Sequence, residues 1–197
     1  MVDNRMSSAY PHTLVGDVTS NNIIVKNPKL QGSDMVSEIY YLKDAAGLVR
    51  PVLQTPPLPV LSAVKKSCYT VLLQNVDIDP IARRFYETIN LIERAFIDQY
   101  EDRANDWDLA DVPSQFWSSI RPHNGGGGDY SMKLQLLYNR PLSSNGPKTL
   151  LTKIYEGRNE RKCEAINIGL LAVQYITPAY VSYTADGLRL HWHVHQV

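Results

Sequence analysis

Three histidines alternate with apolar residues near the end of the sequence, in the run His191-Trp192-His193-Val194-His195. Imidazole nitrogens are common zinc ligands, and alternate residues of a β-strand point to the same side. His191 and His195 would lie roughly 13 Å apart along an extended strand, so neighbouring histidines could share an ion but all three could not without a bend. We therefore expect the apolar residues of this strand to face the core and the histidines to face solvent or DNA. We assign no metal and no cofactor.

Cationic and aromatic side chains are interleaved in the last third of the sequence. Between Arg121 and Val173 there are eight basic residues and four acidic ones, together with several tyrosines. Single-stranded nucleic acids are bound by cations that follow the phosphates and by rings on which bases stack, at roughly 1–3 kcal/mol per base. The candidates for such contacts are Lys65, Lys66, Tyr69, Tyr130, Lys133, Tyr138, Arg140, Lys148, Lys153, Tyr155, Arg158, Arg161 and Lys162. The alternative is that these are ordinary solvated cations and core tyrosines.

The formal net charge is zero, with 20 basic and 20 acidic residues, which by itself argues against a nucleic-acid partner. The charges are segregated, however. Between Asp77 and Asp111 there are ten acidic residues and four arginines, which leaves sixteen basic and ten acidic residues in the rest of the chain. The acid-rich segment is either a solvated outer layer or a competitor of DNA for the basic surface.

Catalytic motifs are not found. The sequence lacks HExxH, GxSxG and CxxC, and the glycines of Asn124 to Gly128 do not have the GxxxxGK[ST] or GxGxxG spacing of a phosphate-binding loop. Cys68 and Cys163 lie in apolar segments, where reduced, core-filling thiols are expected. We predict that the protein is not an enzyme.

Short β-branched and aromatic runs separated by Pro, Gly and Asp predict strands. They cover residues 23–25, 39–42, 49–53, 67–76, 130–138, 150–155, 165–176 and 181–197. Asp186-Gly187 between alternating runs predicts a hairpin. Residues 1–20 are polar and aperiodic, so we expect a flexible arm there and a single domain over residues 21–197.

One segment has the period of an amphipathic helix, at about residues 80–101. Its start is marked by Asp79 as N-cap and Pro80 as first helical residue. The predicted buried stripe is Ile81, Phe85, Ile89, Ile92, Phe96 and Tyr100, and the residues expected to face water are Arg83, Arg84, Glu87, Glu93 and Arg94. The predicted fold class is mainly β: an OB-like antiparallel barrel or a sandwich that carries this one helix.

Two segments and the order of the elements resemble a known family. Val25-Lys26-Asn27-Pro28-Lys29 and Val52-Leu53-Gln54-Thr55-Pro56 are followed by a strand, an amphipathic helix, a Trp-bearing segment, a lysine-containing strand and a closing strand that ends at Gln196-Val197. This pattern, over residues 22–197, resembles the single-stranded-DNA-binding proteins of nucleocytoplasmic large DNA viruses, which are of the OB-fold type.

The resemblance implies single-stranded DNA binding without strong sequence preference, in viral DNA replication, recombination or repair. It also implies an intracellular location, in the virus factory of the host cytoplasm or in the nucleus, with replication proteins and a second copy of the chain as further candidate partners. No apolar run is long enough for a spanning helix, so no membrane partner is expected. Two alternatives stay open: a viral structural or assembly protein that acts through protein–protein contacts, and a metal-dependent enzyme that uses His191, His193 and His195.

Overall fold

The computed structural model describes residues 12–14, 18–31, 34–43, 47–107, 115–124, 127–139 and 149–197. The strands are β1 His12–Leu14, β2 Ile23–Val25, β3 Lys29–Gln31, β4 Asp34–Lys43, β5 Gly47–Gln54, β6 Leu58–Pro59, β7 Cys68–Leu73, β8 Phe116–Trp117, β9 Ile120–Pro122, β10 Tyr130–Leu136, β11 Tyr138–Asn139, β12 Thr149–Leu150, β13 Ile154–Glu156, β14 Asn159–Arg161, β15 Leu171–Ala172, β16 Tyr175–Thr184 and β17 Gly187–Gln196. In the described part of the chain, α1 Pro80–Arg103 is the one α-helix.

The main sheet has the order β1-β5-β4-β16-β17-β10-β7 and curls into an open half-barrel. Most neighbours are antiparallel, whereas β1 runs parallel to β5 and both β8 and β10 run parallel to β17. The predicted fold class, a mainly β OB-like barrel with one helix, is confirmed.

Helix α1 begins and packs largely as its sequence predicts. The Asp79 carboxylate accepts a hydrogen bond from Ile81 N at 2.8 Å, which satisfies one of the free donors of the first turn. Phe85 and Phe96 of the predicted stripe are buried. Two positions were predicted wrongly: Ile81, in the first turn of the helix, is exposed, and Glu93 is buried.

The core lies between α1 and one side of the half-barrel. The ring centroids of Phe96 and Tyr183 are 6.4 Å apart, and Leu190 and Trp192 of β17 belong to the same buried cluster. The expectation that the apolar residues of β17 face the core is therefore confirmed. Each of these core residues contributes roughly 1.5–3 kcal/mol of hydrophobic stabilisation.

The strand predicted over residues 165–176 is wrong in its position. Cys163–Ala165 is a 3-10 turn, a second turn joins Leu170 N to Asn167 O at 3.1 Å, and the long strand β16 starts only at Tyr175. Gly169, at φ +85°, supplies the left-handed backbone that the second turn needs.

The hairpin predicted at Asp186-Gly187 is confirmed, because Thr184 of β16 pairs with Gly187 of β17. Of the arm predicted over residues 1–20, residues 12–14 form β1 beside β5, and residues 1–11 and 15–17 lie outside the described residues. No helix in the described ranges is both long and apolar enough to cross a membrane.

Candidate nucleic-acid interface

The side of the sheet that faces away from α1 carries most of the polar residues of the strands. Successive side chains of a strand point to opposite sides, so the neighbours in sequence of core residues such as Leu190 and Trp192 lie on this outer side. We call it the polar face. Strand alternation and register place on it Lys29, Glu38, Tyr40, Arg50, Cys68, Thr70, Trp117, Arg121, Lys133, Gln135, Tyr180, Ser182, Arg189, His191, His193 and His195.

Three of the predicted cations meet at one edge of the polar face. β7 pairs with β10 so that Thr70 lies opposite Lys133, and a pocket of about 390 Å³ opens beside them. The residues that line it are Ser62, Lys65, Lys66, Cys68, Tyr69, Thr70 and Lys133. None of these lining residues, all in the described part of the chain, is acidic. The pocket therefore favours an anionic group such as a phosphate.

Lys65 and Lys66 reach this pocket from a tight turn. Lys65 and Cys68 exchange backbone hydrogen bonds of 2.7 and 3.0 Å, and the central residues have positive φ angles, 50° at Lys66 and 68° at Ser67. Such angles suit the twist of a β-hairpin but cost a non-glycine residue roughly 1–2 kcal/mol.

Tyr69, also among the predicted contacts, is 1% exposed and packs in the core cluster. Burial raises the pKa of its phenol, and the buried hydroxyl has no hydrogen-bond partner within the described residues. Its ring offers no face on which a base could stack, so Tyr69 only lines the pocket.

Trp117 is a partly exposed aromatic residue of the polar face. We call such a ring, or pair of rings, an aromatic station. Trp117 lies beside Arg189 of β17, is 36% exposed, and donates from Nε1 to Asp186 O at 2.8 Å. The guanidinium carbon of Arg121 is 5.9 Å from its ring centroid, within the range of a cation–π contact. A flat ring with a cation beside it is the arrangement on which a nucleobase stacks.

The second aromatic station is on the same face of the sheet and consists of Tyr180 of β16 and His191 of β17. The rings of Tyr180 and His191 are stacked, with centroids 4.5 Å apart and an interplanar angle of 15°. Ser182 Oγ lies 2.8 Å from His191 Nε2 and fixes the imidazole. Both ring residues are partly exposed.

His193 is more buried than the prediction of a solvated histidine face allowed. It is 8% exposed and meets Tyr180 edge to face at 5.7 Å. Burial, followed by the charges of His191, His195 and Arg50, lowers its pKa to about 4, so it is neutral at pH 7. Among the residues that the structure describes, no group of three or more histidine, cysteine or acidic side chains could hold a metal ion.

Arg50 is a buried cation of the polar face. It donates to the carboxylate of Glu38, to Tyr40 Oη at 3.0 Å, and to the carbonyl oxygens of Ala179 and Ile39 at 3.1 and 3.3 Å. Its guanidinium also lies 4.2 Å from the centre of the Tyr40 ring. The charge is thus compensated within the sheet, and we assign it a structural role.

Of the remaining predicted tyrosines, Tyr130 lies on the helix side of the sheet, and Tyr138 and Tyr155 lie on the short strands β11 and β13. Tyr130 packs on Tyr86 of α1, with centroids 4.6 Å apart, and a hydrogen bond to Tyr86 raises its pKa. Tyr138 is partly buried beside Cys163, where desolvation raises its pKa. Tyr155 is partly exposed on β13.

The other predicted cations that the structure describes are on or beside the β13–β14 hairpin. Lys153, Arg158 and Lys162 are exposed, and Arg161 forms an ion pair of 2.8 Å with Glu156. Arg140 and Lys148 lie outside the described residues. The structure therefore joins Lys65, Lys66 and Lys133 in one pocket, whereas Lys153 lies beside the end of β17, where its backbone N donates to His195 O at 2.9 Å.

Among the exposed cations and the rings that we assign to DNA contacts on the polar face, Lys29, Trp117, Arg121, Tyr180 and Arg189 were absent from the predicted set. The alternation of β17, which already directed the histidines outward, also directs Arg189 outward and could have identified it. Trp117 could not be found in this way, because β8 has only two residues and no visible period.

No protein-family model matches the chain, and no curated protein matches it.

Proposed function

We propose that the protein binds single-stranded DNA across the polar face. The observation that carries the proposal is the sharing of one side of the sheet by exposed cations and two aromatic stations, Trp117 and Tyr180–His191, opposite the acid-rich helix. Cations that follow phosphates and rings that stack on bases are the two elements of sequence-tolerant single-strand binding.

The separation of charge answers the objection raised by the neutral composition. The exposed cations of the polar face and its pocket are Lys29, Lys65, Lys66, Arg121, Lys133 and Arg189. The sheet and the core stand between them and the exposed acids of α1, such as Asp98 and Glu101. A phosphate backbone on the polar face would meet mainly positive potential despite a net charge of zero.

The aromatic stations favour single strands over duplexes. Stacking on Trp117 or on the Tyr180–His191 pair requires an unpaired base with an accessible face, which a duplex keeps inside its own stack. The likeness of the sequence to viral single-stranded-DNA-binding proteins suggests that this binding serves DNA replication, recombination or repair.

A fluorescence-anisotropy titration with labelled oligo-dT and a duplex of the same length tests the proposal. We expect the single strand to bind at least about tenfold more tightly at moderate salt, which is a preference of about 1.4 kcal/mol. Equal affinities, or no binding to either, would overturn it.

A second candidate is a structural or assembly role through protein contacts. It is favoured by exposed apolar side chains beside β15, where Ile168 is 70% and Leu171 is 62% exposed. Failure of the DNA titration together with concentration-dependent self-association in sedimentation would support this role.

A further inference from the structure

Glu93 of α1 has a buried side chain, although the sequence pattern of the helix predicts that this residue faces water. It is 4% exposed, and burial raises the pKa of its carboxyl although hydrogen bonds from Ser119 and Ser118 oppose the change. A buried acid is costly unless its oxygens are hydrogen-bonded. The partners of these oxygens indicate what the acid does.

Both carboxylate oxygens are bonded to the segment that follows β8. Oε1 accepts from Ser119 N at 2.6 Å, and Oε2 accepts from Ser118 Oγ at 2.8 Å. Ser119 Oγ in turn accepts from Nε1 of the core residue Trp192 at 2.8 Å. The turn at Ser118–Ser119 is therefore fixed from the helix and from the sheet.

Trp117 directly precedes this turn, and β8, which carries it, has only two residues. So short a strand has too few ladder bonds to define the orientation of an exposed ring by itself. We propose that Glu93 is a positioning residue for Trp117: by binding Ser118 and Ser119 it holds the indole in place on the polar face. The consequence for DNA affinity rests on the proposed function, whereas the placement of the ring does not.

Fluorine NMR of protein labelled with 5-fluorotryptophan tests the placement. The Trp117 resonance is assigned with Trp117→Phe, and Trp107, whose Nε1 donates to Asn27 Oδ1, serves as the internal reference. Glu93→Ala should shift and broaden the Trp117 resonance and leave that of Trp107 unchanged. Glu93→Gln keeps an oxygen that can accept from Ser119 N and should restore the wild-type signal.

An unchanged Trp117 resonance in Glu93→Ala, or a Gln variant as disturbed as the Ala variant, would overturn the proposal. If Glu93→Ala does not fold, Ser118→Ala removes the bond to Glu93 Oε2, together with the bonds between Ser118 Oγ and Ile120, and keeps the bond from Ser119 N to Glu93 Oε1. It should shift the same resonance by a smaller amount, and the absence of any shift in that variant would contradict the positioning role.

A double-mutant cycle connects the placement to binding. Glu93→Ala should weaken oligo-dT binding by no more than Trp117→Ala does, and the double variant should bind no worse than Trp117→Ala alone. Additive losses would show that Glu93 does not act through Trp117. If the wild-type protein fails to bind oligo-dT, the proposed function is wrong, while the NMR result still decides the positioning role.

Discussion

Substitution of Gly187 in the β16–β17 hairpin should lower the stability of the protein strongly, because Gly187 contacts the segment that leads to Trp117. The φ angle of Gly187 is +116°, and a Cβ atom there would lie 2.1 Å from the backbone oxygen of Gln115. That oxygen accepts from Leu188 N at 2.8 Å, so it cannot move away without loss of the bond. Gly187→Ala must therefore distort the hairpin or displace the segment that leads to Trp117.

The expected loss can be built up from these contacts. An unfavourable φ costs roughly 1–3 kcal/mol. Displacement of the segment weakens the Leu188–Gln115 bond and the Trp117–Asp186 bond, at about 1 kcal/mol each. We predict that Gly187→Ala lowers the free energy of unfolding by about 3–5 kcal/mol, a large part of the usual stability of a domain.

Gly157 in the β13–β14 turn provides the matched control. Its φ is +62°, and a Cβ atom there would have no atom within 4 Å, so Gly157→Ala should cost only about 1 kcal/mol from backbone strain. Urea unfolding followed by far-UV circular dichroism measures both variants. If Gly187→Ala loses no more stability than Gly157→Ala, two contacts are refuted. These are the close approach of Gln115 to Gly187 and the packing of the Trp117 segment against the hairpin.

Three further predictions concern charge, pH and the strained turn. The double change Lys66→Ala and Lys133→Ala should make the slope of log K against log salt for oligo-dT shallower by about 1.4. Arg94→Ala, on the exposed side of α1, should leave this slope unchanged. Equal slopes in the wild type and both variants would refute phosphate binding in the pocket. Folding lowers the pKa of His193 from 6.5 to about 4, so on acidification the unfolded state takes up the proton first. The free energy of unfolding should therefore fall by about 3 kcal/mol between pH 6.5 and 4. His193→Gln should remove that component in urea titrations across this pH range, and an undiminished slope would contradict the burial of the imidazole. Ser67→Gly should raise thermal stability, by about 1 kcal/mol at the melting midpoint, without a change in DNA affinity, because it relieves a left-handed serine; a loss of stability would contradict the turn.

Local signals in the sequence were sufficient for the helix and for the last hairpin. Asp79 and Pro80 define the start of α1, and Asp186-Gly187 defines the turn, because each acts on backbone atoms a few residues away. The alternation of β17 likewise separates its core residues from its histidines. Such features depend on local geometry, which the sequence specifies directly.

Features that depend on distant partners could not be predicted. Glu93 follows a water-facing pattern and is buried because Ser119, 26 residues later, brings donors to it. Lys66 and Lys133 meet only through the register of β7 with β10. A sequence period shows which residues share one side of an element but not which element covers that side, so the burial of Tyr69 could not be predicted.

Photo-crosslinking of an oligonucleotide that contains 5-iodouracil, followed by mass spectrometry of the adducts, tests the central proposal most directly. If DNA crosses the polar face, adducts should form on Trp117 and on Tyr180 or His191, and they should disappear in excess unlabelled oligo-dT. Adducts confined to Tyr86 and Tyr130 on the helix side, or to the β13–β14 hairpin, would show that DNA binds elsewhere and would contradict the proposed interface.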